Sequence, residues 1–310
     1  MVGFAVARYL LHFSIPTSAI IATALTVTSV GVSVAIWQSA GRLRSRTGQV
    51  LIDVAEMDDI TGIALMAIVF AVLQAAHDGT SVGFGRVMTI TVGLVALKLA
   101  LLVVGCLLFS TYAERPAMKA VRRWGSAQSP TLFMVGIGTL VAAFAELIGL
   151  SVAIGAFFAG VMFSRDPQAM RLETSYEEIY ELFAPFFFVS VGFQVDPSHL
   201  GEAVILGSVL LAAAILGKTV GVMIPALRQL GLVSAGLLGI SMVPRAEIAM
   251  IIMQRGAELG TWAVPPEVFS AMVFVSAGTC LLIPALLYTL LVRYGPQADP
   301  ESSASQIHTT

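Results

Sequence analysis

The sequence predicts an all-α, polytopic helical membrane protein, and three observations carry that reading. Apolar residues make up 57% of the chain and charged residues 12%, about half the usual charge density of a soluble domain, roughly 25%. The apolar runs are long. A helix needs about 20 apolar residues to cross roughly 30 Å of hydrocarbon, and the chain supplies such runs repeatedly. The runs also lack the alternation of a membrane β-barrel, and backbone groups in lipid must bond within their own segment, which leaves helices.

The first element, Val2–Phe13, is apolar but too short to cross alone. Arg8 lies inside that run, whereas a signal peptide places charge before its apolar stretch and a small-residue cleavage site after it. Nine spans follow: about Thr17–Ala40, Val50–Ala76, Val87–Tyr112, Thr131–Ile148, Ser151–Ser164, Tyr180–Val195, Ala203–Leu227, Leu232–Gln254 and Glu267–Arg293. Ser151–Ser164 and Tyr180–Val195 are short, as tilted, broken or shielded helices are. Gly295–Thr310 is polar and reads as a disordered tail.

Lys and Arg in short loops set the orientation. Arg42, Arg44 and Arg46 fill one loop. Arg115, Lys119, Arg122 and Arg123 fill another. Arg165 and Arg171 mark a third, Arg228 a fourth, and Arg293 opens the tail. The basic-poor loops His77–Arg86, around Gly149, Asp196–Glu202 and Gln254–Glu267 alternate with these. The basic set and the C-terminus are therefore expected on the cytoplasmic side, with the chain in a bacterial inner (plasma) membrane.

Several function classes are disfavoured at this point. A formal net charge of −2 gives no basic footprint for nucleic acid. Cys106 and Cys280 sit in apolar segments and form neither a metal spacing nor a disulfide framework. No P-loop pattern is present, so no ATP site is expected.

The informative residues are charges within the spans. A charge near the bilayer centre costs about 3 kcal/mol on insertion scales and usually serves a function. Asp58 and Asp59 lie roughly 12–14 Å into their span, near the midplane. Lys218 lies about 14 Å from the cytoplasmic end of its own span. A buried lysine beside a buried aspartate is the cheapest arrangement for both. Lys98 is also mid-span, so the sequence leaves two candidate partners for Asp58. Thr26-Val27-Thr28-Ser29 falls midway along Thr17–Ala40, and Pro244 interrupts Leu232–Gln254 ahead of Arg245 and Glu247. Broken helices at membrane depth line cavities, and their half-helix ends serve as ion sites. Ordinary small-residue helix packing also accounts for Thr28 and Ser29, and a structural ion pair accounts for Arg245 with Glu247. Asp53 and Glu56 read either as an acidic entrance that concentrates cations or as solvated residues at a helix start. Glu146 is a further carboxylate within a span.

At these residues the chain resembles the monovalent cation/proton antiporter superfamily, in the branch of NapA-like sodium/proton exchangers and Kef-type potassium efflux systems. The matching segments are Ala24–Val32, Val54–Gly62, Ala145–Ser164, Phe183–Asp196, Ile215–Gly221 and Val243–Ala249, in the order the family has them. The resemblance implies an inverted-repeat fold in which two broken helices, Thr17–Ala40 and Leu232–Gln254, cross near the midplane. It implies one transport domain over 1–294, with an ion-binding core at 17–76 and 203–293 and interface or connecting helices at 83–195. Asp59 matches the carboxylate that takes a transported monovalent cation and protons in turn. Asp58 matches its neighbour, paired with Lys218. Thr28, Ser29, Pro244, Arg245 and Glu247 match the helix breaks. Ala246 stands where the family's Pro-Arg-Gly-Glu motif has glycine. The resemblance also implies further N-terminal helices, so the chain reads as an N-terminally truncated member, and a homodimer in the full-length form.

The implied activity is exchange of Na+, or K+ as in the Kef-type members, for H+ with no cofactor and no enzymatic step. A buried carboxylate holds a proton or a dehydrated cation, and loading one releases the other. An intramembrane aspartyl protease needs two carboxylates facing one another from different helices, whereas Asp58 and Asp59 are adjacent and point about 100° apart. A channel would show a filter-like repeat. A sodium-coupled symporter of related fold and an inactive fragment stay open as alternatives.

Overall fold

The computed structural model describes residues 1–77, 84–124, 129–163, 173–195, 198 and 200–295. All regular elements among them are helices. The chain divides into two compact units, Met1–Gly62 with the chain from Val191 onward, and Ile63–Ser190.

The first unit opens with α1 (Val2–Ala5) and a five-residue π turn, Val6–Leu10. The Ser14 hydroxyl accepts from the Thr17 N–H at 3.3 Å and Pro16 sits in the first turn, which starts α2 (Ile15–Ala24). After five residues the chain resumes as α3 (Val30–Ser39). The sequence between them, Leu25 to Ser29, is rich in β-branched and hydroxyl residues that hold a helix weakly. Next comes α4 (Arg46–His77), whose residues to Gly62 belong to this unit.

Five further helices sit between Phe84 and Phe193: α5 (Phe84–Leu108), α6 (Glu114–Trp124), α7 (Ser129–Leu147), α8 (Val152–Met162) and α9 (Glu173–Phe193). The first unit is completed by α10 (Leu200–Ala226), α11 (Leu232–Ser241), α12 (Glu247–Glu258) and α13 (Pro266–Tyr294). Here too a long apolar stretch is interrupted. Pro244 has no N–H to donate and disfavours helical backbone at Val243, so α11 stops at Ser241 and α12 starts at Glu247.

The core of this unit joins α3, α4, α11 and α13 through Trp37, Leu51, Leu238, Met242, Ile283 and Leu287, all buried. Two glycines allow its closest approaches. A Cβ at Gly62 would stand 2.2 Å from Val27 Cγ1, and one at Gly239 would stand 2.6 Å from the Thr219 carbonyl oxygen. Gly62 thus brings the first break against α4, and Gly239 brings α11 against α10.

In the second unit, α7 and α8 form a hairpin. Gly149 turns the chain at φ +81°, a left-handed value that suits glycine, and the Ser151 hydroxyl caps α8 by accepting from the Ile154 N–H at 3.3 Å. The stretch Arg115–Arg123, expected as a loop, is helical in α6. Its pattern explains why. Glu114 and Met118 are buried on one face while Arg115, Lys119 and Arg123, spaced by four, are exposed on the other. Positive charge marks the side of the membrane and says nothing of whether the backbone is coiled. A π turn, Phe109–Ala113, joins α5 to α6. It lies just before Pro116, which cannot donate to the carbonyl four residues earlier.

Among the described residues, five helices are long and apolar enough to cross a membrane: Arg46–His77, Thr89–Arg123, Pro130–Leu147, Gly201–Ala226 and Pro266–Tyr294. Ile15–Ala24, Val152–Met162, Glu181–Phe193 and Leu232–Ser241 are shorter apolar helices. Thr17–Ala40 and Leu232–Gln254, expected as broken helices, are each two helices, and α12 continues to Glu258 into an expected loop. The basic stretch with Arg165 and Arg171, most of the expected His77–Arg86 loop, and the tail from residue 296 lie outside the described residues.

Candidate functional site

The two breaks meet. The Ser29 N–H, at the start of α3, donates to the Pro244 carbonyl at 2.8 Å, so main chain of one interrupted helix bonds main chain of the other. Each break exposes the carbonyl end of one half-helix and the N–H end of another. Those ends carry partial negative and positive charge respectively and need partners when buried.

The carbonyl ends are met by two cations. Lys218, on α10, donates to the Thr26 carbonyl at 2.5 Å and to Asp58 Oδ1 at 2.6 Å. Arg245 is 1% exposed. Its Nη1 donates to the Met242, Val243 and Pro244 carbonyls at 3.0, 2.7 and 3.3 Å, and its Nη2 to the Leu25 carbonyl at 2.7 Å. One guanidinium thus ties the carbonyl end of α2 to that of α11. Its own main chain is fixed by α13: the Arg245 N–H donates to Thr279 Oγ1 at 3.0 Å, and its carbonyl accepts from Ser276 Oγ at 2.8 Å and Cys280 Sγ at 3.1 Å. On the N–H ends, Glu247 lies in the first turn of α12 and accepts from Ser29 Oγ at 3.4 Å. A carboxylate there is favoured by both helix starts.

Asp58 and Asp59 differ sharply although they are adjacent on α4. Both oxygens of Asp58 are engaged, Oδ1 by Lys218 and Oδ2 by Thr28 Oγ1 at 2.8 Å. Thr28 Oγ1 also lies 3.1 Å from the Met242 carbonyl. The Asp58 and Lys218 side chains are 14% and 12% exposed. Asp59 Oδ1 is buried and has no hydrogen-bond partner among the described residues. An acceptor left bare in this way costs free energy unless something occupies it.

Asp58, Lys218, Thr28, Ser29, Pro244, Arg245 and Glu247 are therefore joined by direct hydrogen bonds or the crossing bond, and Asp59 adjoins them. Lys98 belongs to the second unit, where a Cβ at Gly149 would lie 3.3 Å from its amine, so it packs at the α7–α8 turn. Asp53 and Glu56 are exposed on α4, and Glu146 is exposed on α7. The sequence reading does not single out Ser276 and Thr279, and takes Cys280 only as a cysteine of an apolar segment. Their clustering over five residues of an otherwise apolar helix was a usable signal. Ser241, which accepts from Trp37 Nε1 at 2.8 Å and whose carbonyl accepts from Ser33 Oγ, was also missed.

An all-helical apolar chain in which two interrupted helices cross beside buried charges has the architecture of a secondary transporter. The chain belongs to the transmembrane sodium/hydrogen exchanger family, whose profile matches residues 1–293. It is 27% identical over 286 residues to the high-affinity Na+/H+ antiporter NhaS3 of Synechocystis, covering 90% of this chain and 59% of that protein. It is 28% identical over 270 residues to the Na+/H+-K+ antiporter GerN of Bacillus cereus, covering 85% and 65%. It is 26% identical over 276 residues to the chloroplastic K+ efflux antiporter 2 of Arabidopsis thaliana, covering 87% and 23%. The chain thus spans about three fifths to two thirds of the first two relatives.

Proposed function

We propose that this chain carries the ion site of a secondary antiporter that exchanges a monovalent cation, Na+ ahead of K+, for protons by alternating access. The observation that carries this reading is the bare, buried oxygen of Asp59 beside an Asp58 whose two oxygens are already taken. A carboxylate of that kind accepts either a proton or a cation, and each excludes the other. Asp58 and Lys218 hold the crossing in place electrostatically and set the charge against which Asp59 loads. Thr28, Ser29, Arg245 and Glu247 tie the two half-helix pairs together. Sodium is placed first because the high-affinity relative is named for it. Other relatives are named for potassium.

The test is dye-reported proton movement in vesicles containing the reconstituted protein, driven by an imposed Na+ or K+ gradient. Exchange is expected with wild type, faster with Na+, and absent in Asp59→Asn, while the helical content and melting temperature of that variant stay near wild type. Normal exchange by well-folded Asp59→Asn would falsify the assigned role. Equal rates with both ions would remove the sodium preference and leave the site intact.

A further inference from the structure

The second unit holds a groove that the ion site does not use. It lies between α5, α7 and α8, is open along one side, and encloses about 340 Å³. Its lining is almost entirely apolar and includes Leu101, Gly105, Phe109, Leu140, Phe144 and Met162. Leu101, Leu140 and Phe144 are 62%, 66% and 55% exposed along its rim, while Met162 is buried at its floor. Gly105 keeps the groove open, since a Cβ there would meet nothing within 4 Å. Phe109 closes one end, packed edge-on against Phe163 with ring centroids 5.7 Å apart.

Two features give the groove a polarity. From Leu101 to Phe109 it runs eight residues of helix, about 12 Å, close to the depth of one leaflet, half of roughly 30 Å. At the Phe109 end the π turn leads directly into α6. That helix carries Arg115, Lys119, Arg122 and Arg123, of which Arg115, Lys119 and Arg123 are exposed on one face. Tyr112 is 74% exposed within the turn, between the apolar groove and the basic helix, and aromatic residues are enriched where apolar spans give way to water. A slot for hydrocarbon one leaflet deep thus opens beneath a basic amphipathic helix. Basic clusters at this position bind anionic lipid headgroups, and π turns recur at functional sites.

We infer that this unit binds an anionic glycerophospholipid, with an acyl chain in the α5–α7–α8 groove and the headgroup phosphate on the exposed basic face of α6. The lipid joins the membrane-embedded part of the unit to its basic helix. This inference is independent of the ion site and of which cation is carried.

The experiment uses the whole chain, purified in neutral detergent, with bound lipid read by native mass spectrometry and melting temperature read in parallel. The probes are phosphatidylglycerol and phosphatidylcholine with matched oleoyl chains, and free glycerol phosphate. Wild type is expected to retain phosphatidylglycerol at least tenfold more strongly than phosphatidylcholine, since each basic residue near an anionic surface is worth several-fold, and to melt higher with it. Glycerol phosphate is expected neither to displace the lipid nor to raise the melt. Combining Arg115→Gln, Lys119→Gln and Arg123→Gln should bring phosphatidylglycerol down to the phosphatidylcholine level. Gly105→Leu, which fills open space, should lower retention of both lipids while leaving the melt without added lipid unchanged. Equal retention of both lipids by wild type overturns the proposal. So does a preference that survives the triple substitution, or retention unaffected by Gly105→Leu. Displacement by glycerol phosphate reduces the site to a headgroup patch and removes the groove from it. A wild-type dimer that Gly105→Leu converts to monomer, with no lipid retained by either, assigns the groove to a second copy of the chain instead.

Discussion

The two helix breaks look alike in outline and are held in different ways. The first, Leu25 to Ser29, brings hydroxyls and no charge of its own. Its carbonyls are met by cations from elsewhere, Leu25 by Arg245 and Thr26 by Lys218. The second, Met242 to Ala246, carries its own cation, and Arg245 folds back onto the carbonyls of Met242, Val243 and Pro244. The first break is thus a guest of its surroundings, whereas the second is largely self-sufficient and also serves the first. A break that depends on a side chain of another helix can be loosened when that side chain changes partner. Lys218 is such a side chain, because it divides its protons between Thr26 and Asp58. Arg245 is anchored at its main chain by α13 and has no comparable freedom.

The largest effect is expected from Arg245. Replacing it by Met strips donors from four buried carbonyls at once, and each buried acceptor left unmatched costs about 1–3 kcal/mol. Arg245→Met should melt well below every other variant in detergent. Hydrogen exchange should rise at both 25–29 and 242–246. Faster exchange confined to the second break would mean that the Leu25 contact does not couple the two, and the comparison would fail.

The Asp58–Lys218 pair comes next. Lys218→Met or Asp58→Asn alone leaves the other partner without its mate, which costs about 3–5 kcal/mol in the most buried pairs, and less at the 12–14% exposure seen here. The double variant should regain much of the loss, so that the two effects are not additive. Hydrogen exchange in Lys218→Met should rise at 26–29 and stay near wild type at 242–246, the opposite of the Arg245 result. Additive losses in a double-mutant cycle on melting temperature would mean that the pair contributes no coupling.

Much of this arrangement can be anticipated from the amino-acid sequence, and the gaps have physical causes. The helical membrane class follows from composition together with the length and lack of alternation of the apolar runs. Asp58, Asp59 and Lys218 stand out because charge at that depth is expensive, and depth can be counted along a helix at a fixed rise. Depth does not say which face of a helix a side chain occupies or which helix lies opposite, so Lys98 and Lys218 could not be told apart. The reach of Arg245 to Leu25, 220 positions away, was equally hidden, because a guanidinium that bonds carbonyls leaves no acidic partner to look for. Charge alone makes Arg115–Arg123 a loop, whereas the spacing of Arg115, Lys119 and Arg123 by four is the helical signal. The contrast between Asp58 and Asp59 needed coordinates, because two adjacent carboxylates are chemically identical until their neighbours are known.

The smallest predicted effects separate side chain from main chain within the first break. Thr28 acts through its hydroxyl, which donates to Asp58 at 2.8 Å and lies 3.1 Å from the Met242 carbonyl. Thr28→Val keeps the shape and removes both contacts. A hydrogen bond to a charged group is worth about 1.5–3 kcal/mol, and the partial exposure of Asp58 places the expected cost toward the lower end. Ser29 acts mainly through its main chain, since its N–H makes the crossing bond to Pro244 and any residue except proline can supply that donor. Its hydroxyl reaches Glu247 only at 3.4 Å, near the limit at which such a contact counts. Ser29→Ala should therefore cost less than about 1 kcal/mol, and Ser29→Pro should cost several-fold more because it deletes the crossing bond itself. The measurement is the order of melting temperatures, wild type above Ser29→Ala, above Thr28→Val, above Ser29→Pro. If Ser29→Ala fell below Thr28→Val, the hydroxyl–Glu247 contact would be the principal tie between the breaks. The first break would then depend on charge at its N–H end as much as at its carbonyl end.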